Sequence, residues 1–248
     1  DDLADRPGLY RRAQGIWSQL NEEQKREARA CYYASISEID AQFGRVIDYL
    51  EEAGQLDNTI VVMCADHGDL LGAHGLFFKD ISAFEEVYQV PLIVRGPGIA
   101  KDALCQGRVG LHDLCPTLLE LADGEPIDVP DSRSFAGLLR EPETVADEWT
   151  RGYAEYYGNR HRLTQRVVWD GPWKFVFNGF DFDEMYQLDE DPYEMKNLAS
   201  DPAYEEQVKK MMKLYWRYAR DTGDRPLFQT LYPALRLGVV GPLAADEG

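Results

Sequence analysis

Asp66 and His67 stand at the end of an apolar run, Thr59-Ile60-Val61-Val62-Met63-Cys64-Ala65, and Gly68 follows them at once. A carboxylate beside an imidazole offers two donors to a divalent cation. A β-branched run of this kind reads as a strand buried on both faces, as in a parallel sheet. Open α/β sheets bind their ligands at the carboxyl ends of such strands. Gly68 allows the chain to turn sharply there. The segment Leu71-Gly72-Ala73-His74-Gly75-Leu76-Phe77-Phe78-Lys79-Asp80 then adds an imidazole and a cation inside a glycine-punctuated loop. A cation-binding pair followed by a lysine suits an anionic ester. The plainer readings are a turn acid at Asp66 and a solubilising lysine at Lys79.

These residues also carry a resemblance. Asp66-His67-Gly68, Leu71-Gly72-Ala73-His74-Gly75, Lys79 and Val90-Pro91-Leu92-Ile93-Val94-Arg95-Gly96-Pro97-Gly98 resemble the second half of a sulfatase, of the alkaline-phosphatase-like superfamily. The likeness continues through Asp113-Leu114-Cys115-Pro116-Thr117-Leu118-Leu119-Glu120-Leu121. It resumes at Glu184-Met185-Tyr186-Gln187-Leu188-Asp189-Glu190-Asp191-Pro192-Tyr193-Glu194 and at Asn197-Leu198. Ala73 departs from the family, whose members often carry an acid there. A lone Asp-His-Gly is weak; the ordered set is specific.

The resemblance implies that Asp66 and His67 bind a metal, that Lys79 contacts the sulfate and assists the nucleophile, and that His74 is part of the catalytic loop. His74 either binds the substrate or leaving-group oxygen or braces the loop through its ring nitrogens. One divalent ion is implied, calcium in the first place, with manganese or magnesium as alternatives. Calcium favours oxygen ligands, which Asp66 fits better than His67 does. Family members also carry, in their first half, a Cys-x-Pro-x-Arg or Ser-x-Pro-x-Arg motif, whose first residue becomes formylglycine, and a pair of metal-binding aspartates. None of Cys31, Cys64, Cys105 and Cys115 begins that motif, and Asp1-Asp2 follows no apolar strand. The chain therefore resembles the C-terminal part of a longer enzyme, expected to be inactive alone and to need the missing N-terminal half as its partner.

With 248 residues the chain is long enough for a substantial core. Its net charge of −18 argues against nucleic acid, which demands a basic footprint. The same charge repels an anionic substrate at long range, so a sulfate ester needs a local cation or metal. No apolar run is long enough for a membrane helix. Four scattered cysteines without metal-type spacing, and the absence of an Asn-x-Ser/Thr site, lean toward a cytoplasmic rather than a periplasmic or secreted setting. A homo-oligomer is compatible with the sequence. The acidic run Asp181–Glu194 reads as a solvated turn.

The expected fold class is α/β: part of a mostly parallel, helix-flanked sheet of the alkaline-phosphatase type, then a small α+β subdomain with an antiparallel sheet and a C-terminal helix. The corresponding organisation is 1–125 for the catalytic-domain part, 126–150 for a connecting loop rich in Pro, Asp, Glu and Ser, and 151–248 for the small subdomain. Asn21 with Gln24 forms a capping box for a helix whose stripe Tyr32, Ile36, Ile39, Phe43, Val46 and Leu50 reads as core, with Gly54 at its C-terminal cap. A second strand is expected over Val87–Arg95, and a helix from His112-Asp113. Four β-prone pieces follow, at Arg151–Tyr157, Arg166–Trp169, Lys174–Asn178 and Met185–Leu188. A helix after Asp201-Pro202 packs Tyr204, Val208, Met211, Tyr215 and Tyr218 on them. His112 reads as a locally bonded helix-start residue and His161 as a surface one.

Three functions remain open: a sulfatase, a phosphonate monoester or phosphodiester hydrolase of the same superfamily, and a non-catalytic binding module. A zinc phosphatase needs more histidine ligands than these four supply.

Overall fold

The computed structural model describes residues 3–79, 81–158, 163–224 and 240–241. Asp1-Asp2, His161 and most of the tail from Arg225 lie outside them. Two helices lead, α1 (Gly8–Trp17) and α2 (Glu22–Glu52), followed by β1 (Val61–Cys64), α3 (Glu85–Tyr88), β2 (Leu92–Arg95), α4 (Leu114–Leu121) and α5 (Ala136–Arg140). Then come β3 (Arg151–Tyr156), β4 (Gln165–Asp170), β5 (Trp173–Asn178), β6 (Glu184–Gln187) and α6 (Glu205–Asp221).

The four later strands form an antiparallel meander in the order β3-β4-β5-β6. Gly171, at φ +56°, turns β4 into β5 so that Asp170 pairs with Trp173. Period-2 alternation divides β4 between two cores. Val168 joins Phe175, Phe177 and Met185 beneath the apolar face of α6, where Met211, Met212, Tyr215 and Trp216 are buried. Val167 and Trp169 face the other way, with Val176 and Ala83. This is the expected small sheet with its helix.

That second face carries the rest of the chain. Tyr10 of α1, Leu70, Leu76 and Phe84 pack with Tyr186 of β6. The Tyr10 hydroxyl donates to Glu184 at 3.0 Å, and Glu184 also accepts from Tyr186 and Asn178. Lys174 of β5 is fully buried between Glu85 and Glu194, 2.8 Å from each carboxylate. Glu194 in turn accepts the Glu85 N–H at 2.6 Å, capping the start of α3. The acidic run is therefore a solvated turn only in part: Asp181, Asp189 and Glu190 are exposed, whereas Glu184 and Glu194 are buried, because an ammonium, tyrosines and backbone donors from distant segments meet them. A linear reading of charge cannot see such partners.

Other expectations are corrected as well. The strand at 59–65 is not buried on both faces. Val61, Val62 and Met63 are half-buried, Cys64 is exposed, and the one partner among the described residues is β2, antiparallel, with Val61 opposite Arg95. The mostly parallel sheet is thus not present among the described residues. The second strand starts at Leu92, not Val87, since Pro91 cannot donate to a ladder and Glu85–Tyr88 close a helical turn. The connecting loop holds α5, whose Leu138 packs with Phe135 and Trp149. The α2 capping box is present, with both Asn21–Gln24 bonds at 2.9 Å. Yet no α2 residue is buried, and Ile39 is 62% exposed. The stripe has helical spacing, but the described residues supply nothing to cover it.

Replacing Lys174 by Met leaves two carboxylates buried without their counter-charge. It should destabilise the fold by about 3–5 kcal/mol, read from denaturant unfolding. Burial lifts the Glu194 carboxyl to about 7 from an ordinary 4.5, against the pull of Lys174. The folded value lies above the unfolded one. The contribution of this group therefore favours the fold at acid pH and is lost as pH rises through 7. A Glu194→Gln variant should flatten that decline in melting temperature between pH 5 and 8.

Candidate functional site

Beyond β1 the chain turns through Asp66, His67 and Gly68 against α3. The Gly68 N–H donates to the Val87 carbonyl at 2.8 Å. A Cβ at Gly68 would lie 1.9 Å from the Glu86 carbonyl oxygen, so only glycine lets the two segments come this close. His67 Nδ1 is 2.7 Å from the Gly68 carbonyl. A carbonyl only accepts, so Nδ1 carries the hydrogen and Nε2 of the neutral ring presents its lone pair. Asp66 Oδ1 accepts the His67 N–H at 3.0 Å, and Oδ2 stands 3.6 Å from His67 Nε2.

That separation suits neighbouring positions around one cation. Two ligands about 2.4 Å from an ion at a right angle lie about 3.4 Å apart. The carbonyl bond to the far ring nitrogen is the kind of support that metal-binding histidines receive. Among the described residues no group of three or more His, Cys, Asp and Glu side chains could hold a metal ion. The residues present fit two positions of a coordination shell and no more.

Asp66, His67 and Lys79 line one broad cleft of about 1720 Å³, with Glu85, Arg108 and Trp169 also on its walls. Lys79 is exposed. It follows a tight loop closed by Leu70 N–H to Phe78 O at 3.0 Å and Gly72 N–H to Leu76 O at 2.7 Å. Trp17 of α1 packs beside that loop, its ring 5.3 Å from Phe78.

The structure does not bring His74 to this cleft. Its ring is buried and stacked on Phe84 at 3.7 Å, with Nε2 3.9 Å from Glu86. Its backbone sits in the left-handed region at φ 54°, and its carbonyl accepts from Gln14 of α1 at 2.8 Å. Burial lowers its basicity, with Glu86 opposing. His112 does line the cleft, but it folds over Gly110 and lies 3.4 Å from Asp113. Asp113 is itself buried, accepting the Gly110 and Arg133 N–H groups at 2.9 Å each. Glu85 and Arg108 were missed in the sequence. One of two adjacent acids in the run Phe84-Glu85-Glu86-Val87 and a lone arginine in an irregular segment give no pattern to find.

The contact at Gly68 yields a direct test. Gly68→Ala must drive the Glu86 carbonyl away and should lower stability by about 1–3 kcal/mol, seen as a drop in melting temperature. Ala at Gly44, which meets open space, is the control.

The chain has relatives among known proteins. Residues 7–124 match the sulfatase family, and residues 72–220 match the family described as N-sulphoglucosamine sulphohydrolase, C-terminal. A choline-sulfatase of Rhizobium meliloti is 35% identical over 74% of this chain and 35% of its own length. A multifunctional alkaline phosphatase superfamily protein of Trinickia caryophylli is 33% identical over 91% of this chain and 47% of its own. The chain thus spans less than half the length of these relatives. The structure of a phosphonate monoester hydrolase from Silicibacter pomeroyi superposes with a TM-score of 0.78, covering 89% of this chain and 49% of that one at 23% identity, a likeness of fold. The chain belongs to the sulfatase family, within the alkaline-phosphatase-like superfamily.

Proposed function

We propose that this chain is the part of a metal-dependent sulfatase that supplies two metal ligands and the sulfate-binding lysine. One observation carries the reading: Asp66, His67 and Lys79 line the same cleft, with the His67 tautomer set by the Gly68 carbonyl. Asp66 offers an anionic oxygen, and His67 offers the Nε2 lone pair from an oriented ring. A bound divalent cation, calcium before manganese or magnesium, would neutralise charge on the ester oxygens. Lys79 adds a compact charge with rotatable donors on the substrate side. His74 acts from behind: its stack on Phe84 and the Gln14 bond fix the loop that leads to Lys79. At a net charge of −18 such local cations decide whether an anionic ester enters.

In this reading the formylglycine nucleophile and the remaining metal ligands belong to an N-terminal half outside this chain, and this chain alone is inactive. That half is also the proposed cover for the α2 stripe, where Ile36, Ile39 and Val46 are 45%, 62% and 56% exposed. Contiguous apolar surface of this kind marks an interface. Sulfatases among the relatives favour sulfur over phosphorus. Hydrolysis of an aryl sulfate against a phosphonate monoester by the full-length enzyme separates the two chemistries.

Two variants of the full-length enzyme test the residue roles. Asp66→Asn removes a negative charge from the metal site, so metal content and turnover should fall together while the melting temperature of the metal-free protein stays put. Lys79→Ala should keep its metal but lose on the order of a hundredfold or more in kcat/KM. Elemental analysis beside steady-state kinetics reads both. Normal metal content and normal activity in Asp66→Asn would remove the proposal.

A further inference from the structure

Arg108 is seated with care and left without an anion. Its N–H donates to the Trp149 carbonyl at 2.6 Å. Its aliphatic stem lies across Gly152, where a Cβ would come within 2.8 Å of Cδ, so the glycine makes the seat. The guanidinium faces the Trp169 ring, with Cζ 5.5 Å from the centroid. One long contact, Nη2 to the Gly171 carbonyl at 3.4 Å, is its only hydrogen bond from the side chain among the described residues. Nε is buried with no partner.

The two fully buried arginines, Arg6 and Arg166, are treated differently. Arg166 holds Asp224 through Nε at 2.7 Å and Nη2 at 3.1 Å. Arg6 pairs with Asp5 and donates to the Glu194 carbonyl. No carboxylate among the described residues comes within ion-pair distance of Arg108. Glu85, the acid that acts on it through space, is committed to Lys174 and to the Trp169 indole N–H at 2.9 Å. A planar guanidinium held rigid and half-desolvated is suited to bidentate capture of a carboxylate or sulfate. Arg108 lines the same cleft as Asp66, His67 and Lys79.

We propose that Arg108 binds a second anionic group of the substrate, a carboxylate or a further sulfate, so that the cleft selects dianionic esters over monoanionic ones. The proposal rests on the sulfatase reading for where the reacting ester lies. Lys79 and the metal ligands take that ester, and Arg108 takes the other charge. Burial pulls the guanidinium down from its ordinary basicity, with Glu85 opposing, and an anion in the cleft would offset that cost.

The test uses unreactive sulfonates, so that binding is read apart from turnover. The full-length protein and its Arg108→Gln and Arg108→Lys variants are titrated calorimetrically with benzenesulfonate and with 3- and 4-sulfobenzoate. The wild type should bind at least one sulfobenzoate about tenfold more tightly than benzenesulfonate, a preference that Arg108→Gln abolishes and Arg108→Lys keeps in part. The proposal is overturned if the wild type has no such preference, or if Arg108→Gln retains it. A fall in the melting temperature of Arg108→Gln together with no preference in the wild type would assign the guanidinium to an acid of the same protein, which also overturns it. A dianion preference lost in Arg108→Gln, in an enzyme that hydrolyses no sulfate ester, would support Arg108 as the anion site while removing the sulfatase reading.

Discussion

The buried Lys174 ammonium ties the molecule together. It rises from β5, in the middle of the antiparallel sheet, and meets Glu85 at the start of α3 and Glu194 in the turn after β6. Two carboxylates share one cation, and their environments divide the roles. Glu85 keeps its charge: although burial opposes ionisation, Lys174 and the Trp169 N–H outweigh it. Glu194 is the one that burial drives toward protonation. With α3 fixed in this way, the Val87 carbonyl is in place to take the Gly68 N–H, and Gly68 in turn holds the His67 ring. The proposed metal-ligand pair is thus positioned from a sheet that contributes neither of its residues. A buried pair of this kind is weak evidence for net stability but strong evidence for a specified geometry.

The cleft stands between two differently built regions. On one side the small sheet is covered on both faces, by α6 and by the α1–α3 segment. On the other, β1 and β2 form a two-stranded ladder with half-covered faces, and α2 presents an apolar stripe to solvent. An isolated pair of short strands is marginal in water. Strands as apolar as Val61–Cys64, and a 31-residue helix with no buried residue, carry hydrophobic patterns that exceed what the described residues bury. The pattern is a record of contacts that the sequence was shaped to make, so the surplus marks where further protein packs in the proposed full-length enzyme.

Local signals in the sequence were read correctly. The Asn21 capping box, the Gly54 cap and the four β-prone pieces after residue 150 rest largely on local pattern, and each is present in the structure. Asp66, His67 and Lys79 were singled out by residue type and order, and the structure places them on the wall of one cleft. What stayed hidden depends on partners remote in the chain. Lys174 and Glu194 are 20 residues apart, and Tyr10 and Glu184 are separated by 174. An acid's burial is set by such partners and not by its neighbours in sequence. The sheet direction at β1 was misjudged for a related reason. An apolar β-branched run specifies that faces will be covered, and it does not say which strand lies alongside.

Electrostatics gives the site its final constraint. A chain with 44 acidic and 26 basic residues repels the proposed anionic ester from a distance. Attraction has to arise within the cleft, at ranges shorter than the roughly 8 Å over which physiological salt screens charge. Lys79 and Arg108 are the cations of this chain whose setting suits that task, one exposed and mobile, the other pinned on Trp169 and partly desolvated. Desolvation strengthens the short-range attraction of Arg108 just as it raises the cost of leaving it unpaired. A mobile lysine can follow an ester as its charge redistributes, whereas a fixed guanidinium enforces one placement. The proposed division between them is one of turnover and selection, and it follows from how each side chain is held.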